Sequence, residues 1–266
     1  MSGKRPQSFR PGDLTNVTRL LTPGQFIGLC VTLAVLSLLP GSADARAVDP
    51  AGALASLLGT PYRDDGVDDP AGRHTLFANS AATFATPGLN CSGFVTTASR
   101  MLLGRPLPPA AMARDRKGDS GPDSPRGRDW DFGYDLILNI TDGLPRRILG
   151  PGAPSPDPAA IDATRFRGFP LHDAAIWKDV LSRLKPDELI LAAFSKEKVG
   201  RLYYYHVGLL VTDSQGRTFL YHATPGHGAH RLELSAPAGM AAFGQEFTEK
   251  NFGEKKILLI AVPLPR

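Results

Sequence analysis

The chain has 266 residues, 42% of them hydrophobic and 21% charged, a composition that fits a globular protein and excludes wholesale disorder. Lys and Arg exceed Asp and Glu by four, but Lys4, Arg5, Arg10 and Arg19 against Asp13 and Asp44 place a net of two of those charges in the first 45 residues. The +2 left for the remainder is too small an excess to argue for nucleic acid or an acidic lipid surface as a partner.

Residues 1–47 read as a secretory signal. The basic residues precede the uncharged run "FIGLCVTLAVLSLL", Phe26–Leu39, and "PGS" then "ADARA" follow, offering small-x-small cleavage after Ala45 or Ala47. The run has 14 residues, short of the roughly 20 that a spanning helix needs. Extending it back to Leu20 takes in Pro23, Gly24 and Gln25, so an uncleaved anchor is the alternative. Cys30 lies within the run, and Leu29 before it is bulkier than a lipoprotein signal expects. Cleavage would leave Cys91 as the lone cysteine of an exported chain, which points to an intermolecular bridge or a free reactive thiol.

Residues 48–62 contain a short helix, "PAGALASLL", stopped by Gly59 and Pro61, and residues 63–88 are loop-like. From Ser92 the apolar residues Phe94, Val95, Ala98, Met101 and Leu102 recur at helical spacing, and Gly104 and Pro106 end that helix. Residues 105–172 are rich in Pro, Gly and charge around one ordered stretch, "DFGYDLILNITDGL", and read as an insertion over the domain surface, either a solvated one or a lid. Asp173 caps a helix through Leu184, with Ala174, Trp177, Val180, Leu181 and Leu184 on one face. "ELILAAF", "LYYYHVGLLVT", "TFLYHAT" and "KKILLIAVPL" then read as strands, the second and third joined by a turn at Asp213–Gly216. Helices followed by an antiparallel sheet indicate an α+β fold.

The chemistry centres on Cys91 at a helix start. The helix dipole favours the thiolate there by about 0.3–1 kcal/mol, less than one pKa unit at about 1.36 kcal/mol each. From a free value of about 8.5 the dipole alone leaves the thiol protonated, and a nearby imidazole is the supplement that activates cysteine nucleophiles. His206, mid-strand in "YYYHVGLLV", is the candidate base. His222 lies 16 positions on, an even interval across a turn centred on Ser214. That register sets the two rings opposite each other on one sheet face, where the second orients the first. His227 and His230 in "GHGAHRL" have the look of a metal pair, but no third ligand is near them in the sequence, so no metal or other cofactor is expected. His74 and His172 are read as surface residues.

"GTPYR" at 59–63, "NCSGFV" at 90–95, "LGRPLP" at 103–108, "LKPDELILAAF" at 184–194, "HVGLLV" at 206–211 and "FLYHA" at 219–223 together resemble the NlpC family of papain-like cell-wall cysteine peptidases. The likeness covers residues 48–108 and 173–224 in separate blocks. It implies a papain-like core in two catalytic parts, 48–104 and 173–266, separated by the insertion. It also implies hydrolysis of peptide bonds in peptidoglycan stem peptides by an exported protein of the periplasm or cell envelope, or a secreted one. Cys91 takes the nucleophile position, His206 the base and His222 the third position. Tyr62 matches the family tyrosine near the thiol, serving the oxyanion or the substrate. Asn90 stands where the family usually has Asp, which with the following serine, here Ser92, takes part where a free substrate amine is recognised. That departure bears on substrate recognition and not on the cysteine chemistry. "DDGVDDPAGRH" replaces a glycine-rich stretch, and both the Cys–His interval and the hairpin between the histidines are longer than in compact members. An amidase or acyltransferase on the same scaffold, acting on another envelope amide or ester, and a non-enzymatic envelope-binding protein are the competing readings.

Overall fold

A computed structural model of the chain describes residues 49–152, 157–248 and 253–265, so the signal segment and Cys30 lie outside the described residues. Helix α1 (Pro50–Leu54) starts on Asp49, whose carboxylate accepts the Ala51 and Gly52 N–H groups, and runs into a 3-10 turn at Ala55–Leu57. Gly59 then takes a left-handed φ of +80° that L-residues rarely adopt. Residues 63–88 are not all loop: β1 (Gly66–Asp68) and β2 (His74–Leu76) form an antiparallel hairpin. Three-residue strands are too short to display a period of two. His74 Nδ1 lies 2.7 Å from Asp68 Oδ1 across that hairpin, so this histidine is a half-buried structural partner, while His172 is exposed as expected.

Helix α2 (Cys91–Leu103) is closed by Gly104 at φ +62°. Helices α3 (Pro109–Met112) and α4 (Phe132–Ile140), strands β3 (Arg147–Leu149) and β4 (Phe169–Pro170), and α5 (Ala174–Leu181) follow. Asp173 caps α5 as expected, its Oδ1 accepting the Ile176 N–H at 3.0 Å. The chain then builds β5 (Glu188–Lys198), β6 (Arg201–Thr212), β7 (Thr218–Thr224), β8 (Gly228–Glu233), α6 (Pro237–Glu246) and β9 (Lys256–Pro263). The main sheet is antiparallel in the order β3-β9-β5-β6-β7-β8, with β4 also pairing to β9. The fold is therefore α+β, as the sequence indicates.

Both faces of the sheet are covered. Leu54, Phe94, Val95, Ala98, Tyr134 and Ile137 from α1, α2 and α4 pack against one face. Trp177 and Val180 of α5 and Phe243 of α6 pack against the other. Burial on both faces is why "LILAAF" and "ILLIAV" are continuous apolar runs rather than alternating ones.

Residues 105–172 are not a surface layer throughout: their connections are largely exposed, but the helix and strand between them are built into the core and the sheet. Leu136, Ile137, Leu138 and Ile140 of α4 are buried in the core, and β3 forms an edge of the main sheet. Tyr204 of β6 donates its N–H to the Trp130 carbonyl at 2.7 Å and its hydroxyl to the Ala163 carbonyl at 2.8 Å. The Pro, Gly and charge content belongs to the connections, and composition alone hides the buried helix between them. Among the described residues no helix is long and apolar enough to cross a membrane.

Candidate functional site

Cys91 occupies the first turn of α2, and the residues around it explain the local sequence. Asn90 is the N-cap: its Oδ1 accepts the Gly93 N–H at 2.7 Å, and its own N–H donates to the Gly66 carbonyl at 3.1 Å. Asn90, expected beside substrate, thus has a structural task as well. Gly93 is required because a Cβ there would stand 1.9 Å from the Gly66 oxygen. Only a bare backbone lets the first turn of α2 sit on β1. Ser92 Oγ lies 3.9 Å from the Cys91 sulfur. Tyr62 is half-buried near the thiol, its hydroxyl raised first by burial and then by the Cys91 and Asp64 charges.

His206 follows a bulge in β6. Phe194 pairs with His206 and Ser195 with Tyr204, leaving Tyr205 as the extra residue. The β6–β7 register, from Leu209↔Tyr221 to Thr212↔Thr218, centres the hairpin on Gln215 rather than Ser214. His222 is therefore level with Gly208, not directly opposite His206. The shift is two residues, so the rings keep a common face and meet on the diagonal, His206 Nε2 standing 3.0 Å from His222 Nδ1. Gly208 makes the diagonal passable, since a Cβ there would lie 2.8 Å from Leu220 Cδ1 and 3.5 Å from His222 Cβ. Phe194 and Phe247 wall the pair, their rings 5.2 and 5.3 Å from that of His206.

The thiol arrives with α2 on one side of the sheet, whereas His206 and His222 project toward the face covered by α5 and α6. The two sides meet at the β6 backbone, where the Val207 N–H donates to the Cys91 sulfur. Among the described residues, no hydrogen bond joins the thiol to the His206 ring. Cys91 is partly exposed as a residue, yet its sulfur is enclosed enough that burial raises the thiol, against hydrogen bonds from Val207 and Ser92. Burial, aided by the charge of His230, lowers His206 to about 3, and burial and the neighbouring imidazoles hold His222 well below the usual histidine range. The resting pair is thus neutral thiol and neutral imidazole, not the activated thiolate that an adjacent histidine was expected to create.

Beyond His222 stands a group that sequence reasoning missed. His230 is the direct cross-strand partner of His222, with ring centroids 4.3 Å apart. Glu246, the last residue of α6, places its Oε1 3.2 Å from His230 Nε2 and 3.7 Å from His222 Nε2. A carboxylate near His230 that the neighbouring sequence does not show therefore comes from a helix. The pairing of His222 with His230 had a signal, an even interval across the turn at Gly226, but nothing in the sequence tied Glu246 to it. His227 is exposed, its ring 5.1 Å from that of His230. A surface cleft of about 710 Å³ is lined by Asp129, Lys196 and Tyr203–Tyr205 and does not include Cys91.

No family model, no curated protein and no solved structure matches this chain.

Proposed function

We propose that the chain is a cysteine hydrolase of the papain-like NlpC type, exported to the cell envelope and cleaving peptide bonds of peptidoglycan stem peptides. The observation that carries this reading is the hydrogen bond of 3.0 Å between His206 and His222, with His206 next in the strand to Val207, whose N–H meets the Cys91 sulfur at the start of a helix. In the arrangement that serves catalysis, His206 donates Nε2–H to His222 Nδ1 and keeps its Nδ1 lone pair for the thiol. The second ring thereby fixes the tautomer of the first, as the orienting member of a triad does.

Substrate binding completes the reaction geometry. The Cys91 thiol passes its proton to His206 as sulfur attacks the carbonyl carbon, and the imidazolium then protonates the departing amine. Water, deprotonated by His206, cleaves the thioester and releases the acid. The Cys91 N–H, unpaired within the helix because it lies in the first turn, and the Tyr62 hydroxyl are the groups placed to hold the oxyanion. No step calls on a metal or organic cofactor.

The test is mass spectrometry of defined peptidoglycan fragments incubated with the mature chain and with Cys91→Ser. New stem-peptide products are expected from the wild type, with a loss on the order of 10³-fold or more in the variant. A second reading, an envelope-binding protein without turnover, has the raised thiol on its side. Iodoacetamide separates them. Rapid alkylation of Cys91 near neutral pH without peptide products would keep the nucleophile and direct the search to other envelope amides and esters. An inert thiol with no products would sink the enzymatic reading.

A further inference from the structure

We propose that His222, His230 and Glu246 form a binding site for a zinc-like divalent transition-metal ion, whose occupancy holds the His206–His222 pair in the tautomer that cannot deprotonate Cys91. The site itself stands on its own geometry; the effect on Cys91 rests on the hydrolase reading.

The donor atoms of the three side chains all lie within 4.8 Å of one another. Ligands held tetrahedrally at about 2.0–2.1 Å from zinc are separated by roughly 3.4 Å. The His230–Glu246 separation is 3.2 Å and the His222–Glu246 separation 3.7 Å, both close to that value, and the two histidine nitrogens lie within 4.8 Å of each other.

Two of the atoms facing this space make no hydrogen bond. His222 is fully buried, and both its Nε2 and Glu246 Oε1 are enclosed without a hydrogen-bond partner. Leaving buried polar atoms unpaired is unfavourable, and a ligand that pairs them relieves it. His230 is oriented in the way metal-bound histidines are: its Nδ1 lies 3.0 Å from the Gly228 carbonyl, to which it donates. That hydrogen bond turns the Nε2 lone pair of the neutral ring toward the site. Without an ion, His230 Nε2–H donates to Glu246 Oε2 at 3.2 Å, and a bound cation takes the place of that proton.

The ligand set selects the ion. Two imidazoles and one carboxylate suit zinc and its first-row neighbours, whereas calcium and magnesium want shells of oxygen. The supports are rigid. His222 and His230 are register partners on adjacent strands, and α6 approaches β8 closely enough that a Cβ on Gly239 would stand 2.0 Å from the Glu233 oxygen. Water would complete the fourth position.

The consequence for His206 follows from counting protons. With metal on Nε2, the neutral His222 ring keeps its one hydrogen on Nδ1 and donates it to His206 Nε2. His206 must then carry its own hydrogen on Nδ1, the nitrogen that the hydrolase mechanism needs as a lone pair. Relative to the metal-free arrangement, the His222 Nε2 proton leaves to solvent, the His206 Nε2 proton moves to His222 Nδ1, and solvent protonates His206 Nδ1. Both rings stay neutral.

The experiment titrates the metal-stripped mature chain with Co²⁺, followed by its visible absorption, and then displaces it with Zn²⁺. One Co²⁺ per chain is expected, with affinity lowered more than about 10-fold by Glu246→Gln and by His230→Ala, and retained by Cys91→Ser. Circular dichroism of each variant shows whether it is folded, and the near-isosteric Glu246→Gln is the variant of record if His230→Ala is not. Absence of stoichiometric binding, binding unchanged in Glu246→Gln, or binding lost in Cys91→Ser would each overturn the site, whatever the outcome with peptidoglycan. For the switch, saturating Zn²⁺ is expected to slow alkylation of Cys91 about 10-fold or more in the wild type and not in Glu246→Gln. An alkylation rate indifferent to Zn²⁺ would overturn that half alone.

Discussion

Asn90 shows how one residue serves two ends of an argument. Where the resembled family has a charged Asp, this chain has a neutral cap whose Oδ1 holds the Gly93 N–H at 2.7 Å. Asn and Asp are equivalent as caps, while loss of the cap costs about 1 kcal/mol. Asn90→Asp is therefore expected to leave unfolding in urea within about 0.5 kcal/mol of wild type, and Asn90→Ala to lower it by about 1 kcal/mol. If the two variants were equally destabilised, the capping role would be wrong. The resemblance pointed to Cys91, His206 and His222, and the structure joins the two histidines. That the resting thiol is raised was not legible, because desolvation depends on what packs around a sulfur and not on its neighbours in sequence.

At the scale of elements, the "NCSGF" stretch is decided by how α2 meets β1. A Cβ on Gly93 would stand 1.9 Å from the Gly66 oxygen and 3.0 Å from Val67 Cα, both backbone. Gly93→Ala gains at most about 1 kcal/mol of helix propensity and loses about 2–3 kcal/mol or more to the forced separation, so the clash wins. Gly244 in α6 is the control, since nothing lies within 4 Å of a Cβ built there. Gly244→Ala is expected to be neutral or stabilising by about 0.5–1 kcal/mol. Chemical denaturation of both variants checks the pair, and similar effects in the two would contradict the contact. The strands from β5 to β7 and β9 were readable because they are long and apolar. The hairpin of β1 and β2, strand β8 and helix α6 were not, being short or weakly patterned.

At the scale of the whole molecule, residues 105–172 carry charges into the interior. Asp131 and Asp135 are 2% and 3% exposed. Burial raises Asp131 to about 7, opposed by its hydrogen bond from Ser120 and assisted by the Asp135 and Asp119 charges. Burial likewise raises Asp135 to about 6, against the Arg116 N–H. One oxygen of each is enclosed without a partner. Between the ordinary value of 3.8 and these raised values the native chain holds protons that the unfolded chain has lost. Stability from these two groups is therefore full below about pH 4 and declines as pH rises toward about 7. Asp131→Asn, which keeps the shape and cannot ionise, is expected to flatten that decline and to raise the melting temperature at pH 8 by a few degrees. A wild type equally stable at pH 5 and pH 8, after allowance for other groups, would remove the basis for this prediction.

The sequence by itself determined the α+β class, the helix that begins at Cys91, the Asp173 cap, four long strands, and the even spacing that keeps His206 and His222 on one face. Those features are local: a cap, a period or a parity of spacing is complete within a few residues. Tertiary structure alone decided the rest. The hairpin register moved His222 from directly opposite His206 to the diagonal. A helix from an apparent surface insertion became core. The last residue of α6 came to rest against two histidines from neighbouring strands. Each of these depends on which distant surfaces are buried together, and burial is a property of the folded whole that no short stretch of sequence records.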